Sequence, residues 1–265
     1  MADKPILSEL YAISLKNGQD CSMLYGRRNY DFQEGIILFL APGQIMAPLK
    51  GEKERKDASF SSWTLVFHPD LIRSFPLKKQ MPDYTFFHYD SNEMLHLSEQ
   101  ERITLTDLAY SIQKEFSKNI DDHSCRIIVS QIELMLNFCS RYYSRQFITR
   151  STENKDILIR FESFLKDYFD SGQLKKNGLL NVELCAKELG YSSHYLSDLL
   201  KKETGRNARE HIQLFVIEKA KDLLLSTDEP VNIIAYSLGF EYPQHFSKLF
   251  KHKVGVPPRY YRVHR

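Results

Sequence analysis

The 265-residue sequence has no long apolar run. Its longest wholly apolar run near the N-terminus, Ile36 to Ala41, is far shorter than the roughly 18 residues that a membrane-spanning helix needs. The opening residues Met1 to Lys4 also lack the apolar stretch of a secretory signal peptide. These absences exclude a membrane span and predict a cytoplasmic protein.

Paired cysteines and catalytic motifs are missing as well. None of the cysteines forms a C-x-x-C pair, so the sequence predicts buried free thiols instead of a zinc knuckle or a disulfide framework. The four are Cys21, Cys125, Cys139 and Cys185. There is no phosphate-binding loop, G-x-S-x-G elbow or H-E-x-x-H helix. His68, His88 and His96 lack a second His or Glu at metal-binding spacing. We therefore predict no catalytic residue, no metal and no cofactor.

Proline and glycine are scarce in the middle of the chain. There is no proline between Asp83 and Glu229 and no glycine between Glu52 and Ser171, whereas the first 82 residues hold six prolines and five glycines. Because these residues punctuate turns, a strand-and-turn region is predicted to precede a helical one. The predicted strands, which favour a small antiparallel barrel or roll, are Ser22–Tyr25, Ile36–Leu40, Trp63–Phe67 and Thr85–Tyr89.

The last third of the chain contains an internal repeat. Leu189-Gly190-Tyr191 recurs as Leu238-Gly239-Phe240, and residues 196–201 recur as 246–251. A repeat is stronger evidence for architecture than any single motif. Each copy predicts a short helix, a glycine-containing turn and a second helix, over residues 181–205 and 231–255. This is the pattern of a helix-turn-helix unit.

Capping residues mark the predicted helix ends. Asn181 and Ser192 are N-caps for the two helices of the first copy, and Gly190 suits the positive φ between them. In the second copy Pro243 suits the first helical position, whereas Tyr242 is a poor cap. A predicted helix from Asn207 to Leu225, roughly 28 Å long, joins the copies. That length allows the two second helices to approach successive major grooves, about 34 Å apart on one face of DNA.

Positive charge is concentrated at the C-terminal end. The segment from Tyr242 to Arg265 has six Lys or Arg and no Asp or Glu, although the whole chain carries only +2. Residues 151–265 have 18 basic against 15 acidic side chains, and residues 1–150 have 18 against 19. A local basic bias of this kind is typical of a nucleic-acid interface.

Together these features resemble the DNA-binding domain of AraC/XylS-type transcription regulators, over about 100 residues. The positions that carry the resemblance are Ile234-Ala235, Gly239-Phe240, Phe246, Phe250-Lys251, Gly255, Pro258 and Tyr261-Arg262. Two positions depart from the family pattern. Val216 stands where the connecting helix usually has an Arg, and Asp198 stands where the first recognition helix often has a basic contact.

The resemblance implies which residues face DNA. The early positions of the two recognition helices match base-contacting positions in the family, and later lysines match phosphate contacts. These residues are Ser193, His194, Ser197, Asp198 and Lys201 in the first helix, and Gln244, His245, Ser247, Lys248 and Lys251 in the second. Gln pairs with adenine, Lys with guanine, and Asp accepts a hydrogen bond from cytosine.

The family typically has a cupin-like ligand-binding domain before the DNA-binding domain, and the segments FLAPGQ and WTLVFHPDLI resemble its strand-loop signatures. Aromatic side chains of this region suit either an apolar pocket for a small effector or a packed core. The candidate pocket residues are Tyr25, Phe39, Trp63, Phe67 and Phe87.

Two helices are predicted to follow the strands. Ser98 to Glu101 forms a capping box, and a second helix starts near Asp121 with a wide apolar stripe that includes Ile132. We expect Ile132 at an exposed position of a homodimer seam formed by residues 121–143, as the family implies; burial of both helix faces within one subunit is the alternative. Residues 145–155 are predicted to be a polar linker, and Asn154 to cap the helix after it.

The predicted architecture is therefore α+β. A cupin-like sensing and dimerisation domain over residues 1–146 precedes an all-α DNA-binding domain over residues 151–265. The predicted function is transcription regulation, not enzymatic catalysis, with duplex DNA, RNA polymerase and a small effector as partners. Two alternatives stay open: a cupin-type enzyme with an appended DNA-binding module, and an effector-independent regulator whose N-terminal domain binds a protein.

Overall fold

The computed structural model describes residues 6–16, 35–46, 62–90, 93–118, 121, 123–171, 173–174 and 178–264. The chain divides into two compact units, Met1–Arg150 and Ser151–Arg265. The first unit contains all the described strands, and the second is helical throughout its described elements. Mixed α and β structure agrees with the predicted class, and helix predominates over strand. In the part of the chain that the structure describes, no helix is long and apolar enough to cross a membrane.

The first unit has six described strands. They are β1 (Ile6–Leu7), β2 (Tyr11–Lys16), β3 (Gly35–Leu40), β4 (Ile45–Met46), β5 (Trp63–Phe67) and β6 (Leu95–Leu97). A four-stranded antiparallel sheet has the order β5-β2-β3-β6, and β1 pairs with β4 in a separate ribbon. The prediction was correct for β3 and β5. Within the described ranges the sheet is open, so the predicted barrel is not seen, and the predicted strand Ser22–Tyr25 lies outside these ranges.

Helices cover one face of this sheet. They are α2 (Glu99–Phe116) and α3 (Ser124–Thr149), which follow the short α1 (Leu77–Gln80). Alternation along the strands puts Leu15, Ile37 and Trp63 on the same face, because Leu15 is paired with both of the others. The indole Nε1 of Trp63 donates to the Thr106 hydroxyl on α2 at 3.2 Å, which identifies this face as the one toward the helices.

The predicted strand Thr85–Tyr89 is wrong, because residues Thr85–His88 form a 3-10 helix. A strand would send Phe86 and Phe87 to opposite faces. Instead both are buried in one aromatic cluster, with their ring centroids 5.5 Å apart. Phe86 stacks on Tyr143 of α3 at 5.4 Å. Burial of both rings therefore outweighs the strand propensity of this aromatic run.

The predicted starts of α2 and α3 are confirmed, and each is stabilised by hydrogen bonds between neighbouring residues. Ser98 and Glu101 form the predicted capping box at the start of α2. Before α3, the Asp121 carboxylate accepts backbone N–H bonds from His123 and Ser124 at 2.8 and 2.9 Å. These bonds lower the pKa of the Asp121 carboxyl, and the bond from His123 makes the largest contribution.

The predicted polar linker over residues 145–155 contains the boundary between the two units, but residues 145–149 belong to α3 and are part of the first unit. Only Arg150 interrupts the helical run there. The buried Gln146 amide donates to the Met94 carbonyl at 3.0 Å and accepts from the His96 N–H at 2.8 Å. It therefore hydrogen-bonds to the β6 segment much as a neighbouring strand would. Arg145 pairs with Glu101 and also donates to the His96 carbonyl.

Ile132 is fully buried, so its predicted exposure at a seam is also wrong. Ile132 lies on the sheet side of α3, and the large apolar side chains that the helix leaves exposed are Ile127, Leu134 and Ile148, at 40%, 46% and 61%. Ile127 and Leu134 are the two that lie within residues 121–143. These two residues are seven positions apart and lie on one side of α3.

The second unit contains seven helices among its described residues. They are α4 (Ser151–Asp170), α5 (Val182–Leu189), α6 (Ser193–Thr204), α7 (Ala208–Ser226), α8 (Val231–Ser237), α9 (Pro243–Val254) and α10 (Pro258–Val263). Asn154 lies inside α4, so its predicted capping role is wrong; its amide donates to Glu203 at 2.8 Å. The first helix pair is α5–α6, the second is α8–α9, and α7 joins them.

Candidate DNA interface

The two helix-turn-helix copies have the same turn. Tyr191 N–H donates to the Ala186 carbonyl at 2.9 Å, and Phe240 N–H donates to the Ala235 carbonyl at 3.0 Å. Gly190 and Gly239 both take a positive φ, of 79° and 84°. This left-handed conformation ends the first helix of each pair, and only glycine adopts it without steric cost. The sequence repeat is therefore also a repeat of backbone geometry.

The predicted caps of these helices are present. Asn181 accepts from the Leu184 N–H at 2.8 Å, and Ser192 accepts from the Tyr195 N–H at 3.2 Å. Helix α9 begins at Pro243, and its N-cap Tyr242 makes no side-chain cap. Both second helices are 12 residues long and end at a glycine of positive φ, Gly205 or Gly255.

Each second helix buries its apolar side within the second unit. Leu196, Leu200, Phe246 and Phe250 are fully buried, as their spacing predicts. The rings of Phe246 and Phe250 lie 5.8 Å apart. This burial fixes the rotation of α6 and α9 and decides which side chains of each helix face outward.

All ten predicted DNA-facing side chains have access to solvent. His194, Lys201, Gln244, His245, Lys248 and Lys251 are exposed, while Ser193, Ser197, Asp198 and Ser247 are partly exposed. The Tyr242 ring packs edge-on against His245 at 5.4 Å, which restricts that imidazole at the start of α9.

The two second helices differ in charge. Helix α9 carries Lys248, Lys251 and Lys253 and no acidic residue. Helix α6 carries two lysines, which are balanced by Asp198 and Glu203. The formal charge is therefore +3 on α9 and zero on α6, with histidines counted as neutral. An anionic backbone is attracted more strongly to the second pair than to the first.

Helix α7 supports both pairs from its buried face. It packs against α5 and α6 and also against α8, α9 and α10. A capping box between Asn207 and Glu210 closes its start. Val216, where the resembling family usually has an Arg, is buried within this helix. With 19 residues, α7 is roughly 28 Å long at 1.5 Å per residue.

Two contacts that the sequence analysis missed hold the second pair in place. The Arg262 guanidinium donates to the carbonyls of Leu224 and Glu229 at 3.0 and 2.7 Å, which ties α10 to the end of α7. The Leu179 N–H donates to the Gly239 carbonyl at 3.1 Å, which joins the segment before α5 to the turn of the second pair. The only sequence signal for the first contact is that Arg262 is basic, because basic side chains interact favourably with the carbonyl groups at a helix C-terminus.

Burial shifts the pKa of two side chains in the second unit, His211 and Cys185. Burial, and secondarily Arg206, lowers the pKa of the His211 imidazole, whose Nε2 lies 2.7 Å from the Thr204 hydroxyl. Burial raises the pKa of the Cys185 thiol to about 12, so this sulfur stays protonated at neutral pH.

Cys139 is buried too, but Cys125 is exposed, contrary to the prediction of buried thiols. Among the described residues, no group of three His, Cys, Asp or Glu side chains is arranged to hold a metal.

The predicted effector residues separate into two groups. Phe39 and Phe87 belong to the aromatic cluster of the first unit, with ring centroids 5.3 Å apart. Trp63 and Phe67 instead line a pocket beside α2. Tyr25 lies outside the described residues.

Residues 185–264 match a protein family described as a helix-turn-helix domain. The multiple antibiotic resistance protein MarA of Escherichia coli is 32% identical over 84 residues, which cover 32% of this chain and 66% of MarA. The uncharacterized transcriptional regulator YobQ of Bacillus subtilis is 31% identical over 83 residues, which cover 31% of this chain and 34% of YobQ. The transcriptional activator RhaS of Enterobacter is 27% identical over 195 residues, covering 71% of this chain and 63% of RhaS.

A solved domain is similar as well. The C-terminal domain of AraT, a response regulator from Geobacillus stearothermophilus, is 32% identical, with 41% of this chain and 85% of that chain covered and a TM-score of 0.35. The alignments to YobQ, MarA and RhaS each span less than two thirds of the relative. The sequence matches identify a helix-turn-helix domain in the second unit and support DNA-binding transcription regulation.

Proposed function

We propose that this chain is a sequence-specific transcription regulator of the AraC/XylS type. Residues 151–265 bind operator DNA, and residues 1–146 sense a small molecule and form a homodimer. The observation that carries this proposal is the repeated helix pair. The two pairs, α5–α6 and α8–α9, both pack against the single helix α7 that connects them. Such a regulator works in the cytoplasm, where it contacts DNA and RNA polymerase.

The proposed docking places α6 and α9 in successive major grooves. The spacer α7, roughly 28 Å long, is comparable with the 34 Å repeat of the groove. Buried contacts on both sides of α7 keep the two helices in a fixed relation, so no reordering is needed on binding. Base reading is assigned to the early exposed residues of each helix, and phosphate contact to Lys201 and Lys251.

We assign different roles in DNA binding to α6 and α9, because the two helices differ in charge. The three lysines of α9 supply most of the electrostatic affinity, while neutral α6 contributes mainly through base contacts. Asp198 suits a cytosine amino group but repels phosphate. Under this assignment the first pair has the weaker hold on the DNA backbone.

The N-terminal part of the proposal is a cupin-like sensing domain that dimerises. The antiparallel four-stranded sheet supports the cupin-like assignment, although the described strands alone form an open sheet. Exposed Ile127 and Leu134 on α3 support a seam within residues 121–143. A dimer presents two copies of the DNA-binding domain and so doubles the length of operator that is read.

We expect residues 151–265 alone to fold and to bind duplex DNA, because both helix pairs and α7 belong to one compact unit. Binding should weaken steeply with salt, with a slope near 0.9 log units for each neutralised phosphate. Fluorescence anisotropy with labelled duplexes at several salt concentrations measures this. The control is the same fragment with Lys248, Lys251 and Lys253 changed to Gln, which should bind more weakly with a shallower slope. A folded fragment without salt-sensitive binding would contradict the central proposal.

Gln244→Ala and Lys248→Ala should each cost about 1–3 kcal/mol at one or two operator positions and relax the base preference there. Lys251→Ala, at a proposed phosphate contact, should weaken all sequences alike and reduce the salt slope by about one unit. Selection of binding sites from random DNA compares the three variants, and circular dichroism checks that each is folded. The assignment fails if the selected sequence is unchanged for the first two variants or altered for Lys251→Ala.

A further inference from the structure

A pocket of about 590 Å³ lies between β5, the outermost of the described strands of the sheet, and the helices α2 and α3. Its volume is within the range of sites that hold drug-sized molecules. The strand supplies Trp63, Leu65 and Phe67, and α2 and α3 supply the opposite wall. The main helical lining residues are Ala109, Tyr110, Ile112, Gln113, Phe116 and Ile128.

The chemistry of the lining selects the ligand class. None of the described residues that line the pocket is Asp, Glu, Lys or Arg, so a charged molecule would lose its hydration without gaining a counter-ion from them. His68, Tyr110 and Gln113 are the polar side chains of the lining, since the Thr64 hydroxyl pairs with Ser14 on the other face of the sheet. This lining suits a neutral, mostly apolar molecule that has one or two hydrogen-bonding groups.

The walls are held in place by other contacts. The Trp63 indole is fixed by its 3.2 Å hydrogen bond to Thr106 on α2. The Phe67 ring stacks on Tyr11 of the neighbouring strand at 5.1 Å. Because these contacts already orient the aromatic wall, a ligand would not have to order it on binding.

The rim of the pocket leaves large apolar side chains in solvent. Tyr110 is 51% exposed and Phe116 is 67% exposed, and both line the pocket. Apolar side chains clustered around a concavity are typical of ligand-binding grooves, whereas isolated ones are common on any protein surface. A molecule seated in the pocket would cover part of both residues.

We propose that this pocket, between β5 and the α2–α3 pair, binds a neutral and mostly apolar small molecule. The proposal deepens the sensing part of the proposed function and rests on it for the biological role. Phe39 and Phe87 pack against each other in the aromatic cluster instead, where Phe87 is buried. A ligand in the pocket contacts α3 from the sheet side, and α3 also carries the proposed dimer seam.

The test uses the full chain and the neutral apolar dye N-phenyl-1-naphthylamine. Trp63 is the only tryptophan of the chain, so its fluorescence reports on this wall alone. We expect saturable binding of one dye per chain, with quenching of Trp63 and energy transfer to the dye. Dye binding without any effect on Trp63 emission would place the dye elsewhere and overturn the proposal.

Ala109→Phe should fill the pocket and weaken dye binding at least about tenfold, which corresponds to about 1.4 kcal/mol. Asp107→Phe is the matched control, because Asp107 is exposed on the same helix and does not line the pocket. Phe116→Ala, at the exposed rim, should weaken binding severalfold without a fold defect. Equal dye affinity in folded wild type, Ala109→Phe and Phe116→Ala would overturn the assignment.

DNA affinity of the same samples separates the two proposals. If the wild-type chain binds DNA but does not bind the dye, the pocket is refuted and the regulator proposal stands. Intact dye binding without DNA binding would refute the regulator proposal and leave the pocket standing.

Discussion

Gly239→Ala should destabilise residues 151–265 more than the same change at the equivalent repeat position, Gly190. Both glycines have a positive φ, which costs an alanine about 1–2 kcal/mol. A Cβ at Gly190 would meet no atom within 4 Å. A Cβ at Gly239 would lie 2.8 Å from the Leu179 backbone nitrogen, so the backbone must move. We expect this displacement to add about 1–3 kcal/mol.

Urea unfolding of the fragment, followed by far-ultraviolet circular dichroism, measures both variants against the wild type. The turn geometry is the same in both copies. The difference between the two losses of unfolding free energy therefore measures the cost of the close contact between the new Cβ and the Leu179 nitrogen. DNA affinity should also fall for Gly239→Ala, because the Leu179 hydrogen bond positions the second pair. Equal destabilisation by the two changes would show that the segment before α5 moves aside without cost.

Leu134→Glu should convert a homodimer into folded monomers. Leu134 is 46% exposed and lies seven residues from exposed Ile127, so a carboxylate there would be buried without a partner at the proposed seam. An uncompensated buried charge costs about 3–5 kcal/mol, which raises the dimer dissociation constant at least about 100-fold. Operator binding should weaken as well, because each monomer reads one half-site.

Sedimentation velocity of the full chain at a series of concentrations tests this expectation. Ser144→Glu is the control, because Ser144 is an exposed position of α3 roughly 80° around the helix from Leu134. It should stay dimeric while it carries the same added charge. A wild type that is monomeric at tens of micromolar, with and without DNA, would rule out the seam.

Sequence analysis was most accurate where hydrogen bonds close within four residues. The caps at Ser98, Asn181 and Ser192 and the turn at Gly190 depend on neighbours in the chain, and all are present. The repeat also predicted which residues of α6 and α9 face the core, because helical periodicity assigns Leu196 and Phe246 to one side. The candidate DNA surface follows from the same periodicity.

Sequence analysis was least accurate where a partner lies far along the chain. Thr85–Tyr89 has the composition of a strand, but the aromatic cluster with Tyr143 makes it helical. Residues 145–155 are polar enough for a linker, but Gln146 hydrogen-bonds to residues about 50 positions earlier. Neither partner can be recognised from local composition.

The sequence alone therefore determined the repeated helix pairs, their turns and the basic character of α9, since propensity, capping and periodicity are local properties. Only the tertiary structure decided that Ile132 is buried, that Arg262 hydrogen-bonds to the end of α7, and that Trp63 lines a pocket while Phe39 packs against Phe87. Each of these outcomes depends on which elements pack together although they are distant in the sequence. That packing is determined by how all the side chains fill the interior, and not by local sequence.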